Sequence, residues 1–403
     1  MSPPAEASGD LDVLDGIAFP TKRDEAWRYA PHRQLAELTF AANADGPIGA
    51  MELGGRIPDI GGPRIVVVNG AVSRELSTFG TVDGLHLSSL ADNTDGDALP
   101  SGRHGVTIVD AYAALNVAYS NDGASIRVDD DAAIESPIHV VDVAVPGRSA
   151  NMSSSAVVIR LGAGSSATVV ETRIGVGTSS GGSNVHTSIV LGDDATLEHV
   201  VVQDLPSEQI HLGRVEVTQG ARSTLRTRSF NLGGSYGRLA YDVELSGAGA
   251  VADMSGLFFG VGEQILDQQI TIVHNAKDCT SRQSFRGLLD DASTGVFNGG
   301  IDVCPGADGT DAQQSNDNLL LSNRAEVNTQ PRLEILADEV ACKHGATVGQ
   351  HDDTALYYLR SRGINAEDAR RLLINGFADQ MVDDVSVDAV RTWITHRLGH
   401  DHD

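Results

Sequence analysis

The most regular feature of the sequence is a repeated alternation of apolar and polar residues around glycine-centred turns. The segment VVIRLGAGSSATVVE shows the unit, which is an alternating strand, a turn at a glycine, and a second alternating strand. Alternation with a period of two predicts β-strands that bury one face. The unit recurs in the middle of the chain, at 157–171, 187–201, 214–228 and 241–255.

The spacing of these units favours stacked repeats over a sandwich of antiparallel sheets. The turn glycines Gly162, Gly192, Gly220 and Gly247 are 30, 28 and 27 residues apart, a period that is typical of solenoids. A single unit cannot bury its apolar face alone, whereas stacked copies share one continuous core. An antiparallel sandwich needs no fixed period. We therefore predict a mainly β fold whose core, at 124–350, is a right-handed parallel β-helix.

Two regions that lack this repeat flank the predicted β-helix. Residues 1–123 mix short strands with helical patches, so we expect an N-terminal mixed helical region. Residues 351–403 predict a small C-terminal helical domain, with Asn365 as a suitable N-cap for its second helix. The three predicted helices lie at 352–363, 365–382 and 386–399. The apolar stripe of the second helix is predicted to consist of Ala369, Leu372, Leu373, Gly376 and Phe377.

Composition narrows the class of protein without changing the fold prediction. The chain has 403 residues and a net charge of 29 − 55 = −26. Such an excess of carboxylates argues against binding to nucleic acid or to an anionic membrane surface. No apolar run reaches the length of a membrane span, and the acidic N-terminus lacks a signal-peptide pattern. The small number of cysteines favours a cytoplasmic protein with reduced thiols, and Cys279 and Cys304, each alone near a turn, are predicted to be structural.

The densest group of potential ligands lies in ADEVACKHGATVGQHDD, at 337–353. Cys342 and His344 are two positions apart, so on a strand both side chains point to the same face, and His351 follows nearby. A thiolate and an imidazole on one face can hold iron or zinc, or the imidazole can activate the thiol. A half-buried cysteine beside a histidine at a strand end explains the same spacing. The residues alone leave all three interpretations open.

A second class of protein, a carbohydrate-active parallel β-helix enzyme of the polyuronate lyase or hydrolase type, is also compatible with a solenoid. Its catalytic carboxylates would come from pairs such as Asp129–Asp131 or Asp290–Asp291. These pairs stand at predicted turns, where aspartate is favoured because it binds backbone groups. The sequence also shows no secretion signal and no basic cluster for an acidic sugar, which lowers the rank of this alternative.

Several segments carry a family signature in addition to the repeat. FNGGIDV, TDAQQSNDNLLLSNRAEVNTQPRLEILADEVACKHGATVGQHD and YYLRSRGI lie between about 285 and 380, and RDEAWRYAP lies near the N-terminus. Together they resemble the SufB/SufD family of the SUF iron–sulfur cluster assembly machinery. SufB carries an N-terminal cysteine motif, whereas the first cysteine of this chain is Cys279. The resemblance is therefore to the SufD branch of the family.

This resemblance implies a non-enzymatic scaffold subunit that pairs with SufB through the β-helices. Nascent iron–sulfur clusters are built at that interface, and the Cys-x-His-Gly-Ala-Thr element implies that His344, with Cys342 beside it, is this chain's share of the ligands. The other ligands would come from SufB or from sulfide. Lys343 departs from the family pattern, since a cation there disfavours iron unless it points away. A homodimer of the isolated chain is the alternative pairing.

The resemblance also implies that the C-terminal helical unit engages SufC, the ATPase of the machinery. The segment 352–382 combines aromatic and basic side chains that are suited to a docking surface. The residues that we predict to contact SufC are Tyr357, Tyr358, Arg360, Arg362, Arg370 and Phe377.

Overall fold

The protein is represented by a computed structural model that describes residues 16–40, 48–49, 53–92, 107–147, 150–350 and 353–399. Within these residues the chain forms a parallel β-solenoid of about eight turns, with helices on either side of it in the sequence. The predicted mainly β fold, with a parallel β-helix core and a small C-terminal helical region, is thereby confirmed.

The strands form two sheets, called sheet A and sheet B, whose inner faces share the core. Sheet A contains β1, β4, β5 and every odd-numbered strand from β7 to β19, whereas sheet B contains β2, β3 and every even-numbered strand from β6 to β20. The strands are β1 Thr39–Phe40, β2 Arg64–Val68, β3 Ala71–Val72, β4 Leu85–Ser89, β5 Gly123–Val128, β6 Ile138–Ala144, β7 Asn151–Leu161, β8 Ser166–Gly175, β9 Gly181–Leu191, β10 Thr196–Asp204, β11 Gln209–Gln219, β12 Thr224–Asn231, β13 Tyr236–Leu245, β14 Val251–Gly260, β15 Ile265–His274, β16 Thr280–Leu289, β17 Thr294–Val303, β18 Asp311–Leu320, β19 Glu326–Ile335 and β20 Ala341–Gln350.

From β5 onward the chain alternates between the sheets, so that each turn of the solenoid adds one strand to each sheet. Neighbouring strands are parallel, except in the antiparallel pairs β2–β3 and β4–β5. The strands β2 and β4 precede residue 124 and nevertheless extend the two sheets. The division into domains at 123/124 and at 350/351 stays a prediction.

The core consists of columns of apolar side chains that stack in register. Parallel neighbours pair position by position, so each inward residue lies directly over its counterpart one turn earlier. Burial of each such side chain contributes about 1.5–3 kcal/mol to stability. The alternation in the sequence is therefore the alternation of inward and outward side chains. One column, at most 3% exposed, runs through Ile159, Ile189, Val217, Val243 and Ile272.

The repeated glycines of the turns allow successive turns to stack closely. A Cβ atom at Gly192 would lie 2.8 Å from the backbone nitrogen of Ala163, and one at Gly247 would lie 2.0 Å from that of Ala221. Both clashes are with the preceding turn. The left-handed backbone conformation occurs two positions later, for example at Asp194 with φ 58°. The glycine period therefore marks the contact between turns rather than a left-handed turn residue.

Helices lie on both sides of the solenoid in the sequence. The α-helices are α1 His32–Ala36, α2 Ala111–Tyr119, α3 Asp353–Ser361, α4 Ala366–Asp383 and α5 Asp388–Gly399, and 3₁₀ turns lie at Glu25–Trp27 and Leu90–Asp92. Across the part of the chain that the structure describes, none of these helices is long and apolar enough to cross a membrane.

Helices α4 and α5 pack against the outer face of sheet B. The predicted N-cap is present, since the side chain of Asn365 accepts a hydrogen bond from the backbone N–H of Asp368 at 2.8 Å. The predicted apolar stripe of α4 is only partly correct: Ala369 is buried, whereas Leu372 is 51% exposed. The packed face is formed mainly by other residues of the helix, which share a cluster with outward side chains of sheet B such as Phe230. These residues are Ile374, Ala378, Met381 and Val382.

The N-terminal segments pack against the outer face of sheet A. The rings of Trp27 and Tyr112 lie with centroids 4.9 Å apart, and the guanidinium of Arg238 lies 4.0 Å from the centroid of the Trp27 ring. Nη1 of Arg238 also donates to Oδ2 of Asp267 at 2.6 Å. These contacts anchor the RDEAWRYAP segment to the solenoid.

A buried charged network lies inside the first turns of the solenoid. Nη2 of Arg173 donates to Oε2 of Glu171 at 2.8 Å, and Nε2 of His199 lies 2.8 Å from Oε1 of the same carboxylate. His211 lies between Oγ of Ser183, at 2.9 Å, and Nη1 of Arg173, at 3.3 Å. Burial alone would raise the pKa of Glu171, but the Arg173 charge and the His199 hydrogen bond outweigh it and hold the pKa below its usual value.

We expect the protein to lose stability in mild acid, because buried histidines stay neutral in the fold. Burial lowers the pKa of His139 to about 3 and that of His274 to about 4, and it also lowers the pKa of His211. Below about pH 6.5 the unfolded chain binds protons at these positions and the folded chain does not. The free energy of unfolding should therefore fall between about pH 6.5 and pH 4, by about 1.4 kcal/mol per pH unit for each histidine.

Denaturant unfolding from about pH 7.5 to pH 5 measures this loss. Burial raises the pKa of Asp142 to about 6 and also raises the pKa of Asp242, so these two carboxyl groups oppose the trend that the three histidines set. The variant His274→Gln, which keeps a hydrogen-bonding group beside Ser281, should show a shallower decline. A free energy of unfolding that stays level or rises toward pH 5 would contradict the expectation.

Candidate functional site

The last turn of the solenoid leaves both sheets with an uncovered edge. Strand β19 pairs only with β17, and β20 pairs only with β18. One side of each of these strands therefore presents backbone N–H and C=O groups that no other strand in the described part of the chain pairs. At the opposite end, the sheets finish in the short antiparallel strands β3 and β4. The molecule is thus open at one end of the stack.

The strand register places Cys342 and His344 on the inner face of β20. Cys342 pairs with Ala312 of β18, and His344 pairs with Gln314, and both of these β18 residues are buried and face inward. Because side chains alternate along a strand, Lys343 points to the outer face. The lysine charge therefore lies on the other side of the sheet from the imidazole. In this position it does not disfavour the binding of iron by His344.

Cys342 is a half-buried thiol rather than an exposed nucleophile. It packs against an apolar cluster that includes Ile301, Val303 and Ala312. Burial raises the pKa of the Cys342 thiol, and the negative charge of Asp311 raises it further. The neutral thiol is therefore favoured, and activation of Cys342 by His344 as a catalytic pair finds no support in these surroundings.

The imidazole of His344 is exposed at the open end of the stack. Among the described residues, no group of three or more histidine, cysteine, aspartate or glutamate side chains is arranged to hold a metal ion. His351 lies outside the described residues, so its relation to this pair stays open. Cys342 and His344 share one face of one strand, and in this part of the chain they offer two donors at most.

Apolar side chains are also exposed on and beside the last two strands. Val348 lies on the same inward face of β20 and is more than half exposed. Ile335, at the end of β19, and Leu336, just beyond it, are also exposed. Large exposed apolar side chains next to unpaired strand edges are typical of a surface that another protein covers.

Sequence analysis missed the polar side chains beneath His344. Gln314 is 4% exposed, and its Nε2 donates at 2.8 Å to Oε1 of Gln283, its register partner one turn below. A signal is present in TDAQQSNDN, where amide side chains stand at the alternate positions 314, 316 and 318 of what the structure shows to be strand β18. Polar residues at the buried positions of a strand usually mark a specific role.

The predicted SufC contacts fall into two groups. Tyr357, Tyr358, Arg360 and Arg362, which we call the α3 surface, are exposed. Within it, the guanidinium of Arg362 lies 5.2 Å from the ring centroid of Tyr358. Exposed aromatic and arginine side chains on one helix and at its end are suited to bind a partner protein.

The other two predicted contacts, Arg370 and Phe377, are engaged with the solenoid. Nη2 of Arg370 donates to Oδ2 of Asp290 at 2.7 Å and to the backbone oxygen of Leu321 at 3.2 Å. Phe377 packs against the cluster under α4, and the guanidinium of Arg286 lies 5.1 Å from its ring. Their described contacts hold α4 in place, and a direct contact of these two residues with SufC stays a prediction.

The paired carboxylates belong to turns. Asp131 and Asp291 adopt left-handed backbone conformations, with φ 58° and 50°. Asp129 lies 2.9 Å from His86, and Asp290 is bound to Arg370. Turn formation and ion pairing therefore explain the presence of aspartate at these positions. Of the other cysteines, Cys279 is buried in the main core and Cys304 is half-buried.

Comparison with known proteins places these features in a family context. The model of the family described as "SUF system FeS cluster assembly, SufBD core domain" matches residues 144–377. The iron–sulfur cluster assembly protein SufD of Escherichia coli is 28% identical over 396 residues, which cover 98% of this chain and 92% of that protein. SufD of Bacillus subtilis is 28% identical over 80% of this chain and 74% of its own length.

A SufBD family protein of Synechocystis is also 28% identical, over 94% of this chain and 86% of that protein. The matched region of the family model contains both strands of the uncovered edge and the whole of α3. The two surfaces described above therefore lie within the part of the chain that is similar to these proteins.

Proposed function

Since the chain belongs to the SufBD core family and takes part in iron–sulfur cluster assembly by the SUF system, we propose that it is a non-catalytic scaffold subunit. In this role it pairs with SufB, docks the ATPase SufC, and shares a nascent cluster with SufB. The observation that carries the proposal is the place of His344, on the inner face of the terminal strand at an uncovered sheet edge. The three free cysteines fit assembly in a reducing cytoplasm.

Pairing with SufB uses the open end of the stack. Long unpaired edges beside exposed apolar side chains promote aggregation unless a partner covers them. A partner that also ends in a solenoid turn can continue both sheets by adding strands to β19 and β20. When SufB is absent, the same edges allow a second copy of this chain to take its place as a homodimer.

The nascent cluster lies at this junction, with His344 as a ligand and Cys342 in a supporting or structural role. A neutral imidazole is a suitable ligand for iron. Cysteine binds metal as the thiolate, and the raised pKa of Cys342 makes that form less favourable. If this chain supplies two donors, sulfide and side chains of SufB supply the other ligands of the iron. The described residues contain no larger group of potential ligands, and this is compatible with a shared site.

Replacing His344 by alanine should abolish cluster formation and leave the complex assembled. The side chain is exposed, so its loss should change the free energy of unfolding by no more than about 0.5 kcal/mol. Iron and acid-labile sulfide in the co-purified complex measure the first effect, and the yield of SufB measures the second. Lys343→Ala, on the opposite face of the same strand, is the matched control and should behave as the unaltered protein.

Normal cluster content in the His344→Ala complex would refute the ligand role. Failure of the complex to assemble would assign His344 to the structure of the interface instead of to the metal.

Docking of SufC uses the α3 surface. Removal of all residues after 350 is a poor test, because it would also strip α4 and α5 from the outer face of sheet B and expose their apolar cluster. Substitutions on the α3 surface leave that packing intact. Tyr357 and Tyr358 are the natural choice, since exposed tyrosines often dominate the free energy of binding at protein interfaces.

The double variant Tyr357→Ala, Tyr358→Ala should weaken SufC binding at least about 30-fold, which corresponds to about 2 kcal/mol for an interface hot spot. Titration of SufC into the chain measures the affinity, and co-purification with SufB should be unchanged. Thr392→Ala, on the exposed side of α5, is the control and should bind SufC normally. An unchanged affinity of the double variant would place the SufC contact elsewhere.

The alternative of a carbohydrate-active enzyme predicts depolymerisation of polyuronates by the isolated chain and no binding to SufB or SufC. The engagement of the paired carboxylates in turns and ion pairs weighs against it. Polyuronate cleavage without partner binding would overturn the scaffold proposal.

A further inference from the structure

A column of polar side chains runs up the inner face of sheet B and ends at the open edge. Gln283 of β16 pairs in register with Gln314 of β18, and Gln314 pairs with His344 of β20. Adjacent strands are about 4.8 Å apart, so each of these side chains lies within reach of the next. Gln283 and Gln314 are both buried, and His344 is the exposed member at the top.

The hydrogen bonds along this column leave one acceptor unused at the top. Nε2 of Gln314 donates to Oε1 of Gln283 at 2.8 Å, and Nε2 of Gln283 donates to the backbone oxygen of Gly300 at 3.5 Å. The direction of these bonds commits the amide nitrogen of Gln314 downward, away from His344. Its Oε1 is buried and accepts no hydrogen bond from any residue that the structure describes. Buried amide oxygens without a hydrogen-bond donor are uncommon in folded proteins, so we expect a donor for this oxygen.

The neighbouring sheet is shaped to admit the Gln314 amide. A Cβ atom at Gly299 of β17 would lie 2.0 Å from Nε2 of Gln314, so any larger residue would displace the amide. Gly300, beside it, supplies the backbone oxygen that Gln283 binds. Strands β17, β18 and β20, which carry the segments FNGGIDV, TDAQQSNDN and ACKHGAT, therefore contribute to the space beneath the imidazole.

We propose that Gln314 is a positioning residue for His344. In the described structure the two side chains are not hydrogen-bonded; the proposal is that the exposed imidazole turns so that one ring N–H donates to Oε1 of Gln314, which leaves the other ring nitrogen free toward the open end to bind iron. Metal-binding histidines commonly donate their second ring N–H to such an acceptor, which sets the tautomer and the orientation of the ring. Gln283 and Gly299 act one step further back, by holding the Gln314 amide in the required orientation. The inference rests on the proposed ligand role of His344 and adds the residue that prepares it.

The tautomer of His344 provides a test that requires neither iron nor activity. In the full chain with ¹⁵N-labelled histidines, ring-nitrogen shifts in alkaline buffer report which nitrogen carries the proton, and the His344→Ala variant assigns the signals. We expect one dominant tautomer in the unaltered protein. Gln314→Leu, which removes the acceptor with little change in volume, should give a mixture of both tautomers. Gly299→Ala, which displaces the amide without touching His344, should have the same effect.

Two further variants separate positioning from a general effect on folding. Gln314→Glu keeps an acceptor oxygen and should restore the single tautomer. Gln313→Leu carries the matched substitution one position away on the outer face of β18 and should leave the tautomer unchanged. An identical tautomer ratio in the unaltered protein and in both Gln314→Leu and Gly299→Ala would overturn the role of Gln314.

The complex with SufB provides the second measurement. Iron retained after cluster assembly should fall roughly 10-fold or more in Gln314→Leu, as is usual when the second contact of a histidine ligand is lost, and Gln314→Glu should recover it. The two claims fail separately. Normal clusters in His344→Ala would refute the proposed ligand role, whereas an unchanged tautomer ratio in both Gln314→Leu and Gly299→Ala would refute only the inference about Gln314.

Discussion

Parallel strands pair in register throughout the solenoid, and both the core and the position of His344 follow from this pairing. Because no shift accumulates between turns, every inward position becomes a column that runs the length of the solenoid. Apolar columns supply the core, and the turn glycines allow successive turns to approach closely enough to keep the strands paired. Polar residues at inward positions stack in register in the same way, so His344 lies directly above Gln314, and Gln314 lies above Gln283.

Each turn of a solenoid pairs with the turn before it and the turn after it, so the final turn lacks a partner on one side. Here the final turn carries unpaired strand edges, exposed apolar side chains and two potential metal donors on one inner face. Two potential donors at an uncovered edge are compatible with the proposed role of the chain as a subunit whose partner supplies the remaining ligands.

The sequence predicted the repeating architecture because the period-two alternation and the glycine spacing each have a direct physical cause in stacked strands. It also predicted that Cys342 and His344 share a face, which follows from alternation alone. It did not predict the packed face of α4, because the orientation of that helix depends on its contact with the outer face of sheet B, as the exposed Leu372 shows. The roles of Gln314 and Gly299 could not be predicted either, since they depend on strand register within sheet B and on the approach of the two sheets across the core.

Hydrogen exchange of the backbone amides in β19 and β20, with and without SufB, tests whether a partner pairs with these strand edges. We expect amides on the unpaired side of these two strands to exchange rapidly in the isolated chain and to slow markedly when SufB binds. Strands in the middle of the stack, such as β11, already have two neighbours and should not change. Binding of SufB that leaves 326–350 unprotected, and instead protects β3 and β4 or the helices, would show that the open end of the stack is not the SufB interface.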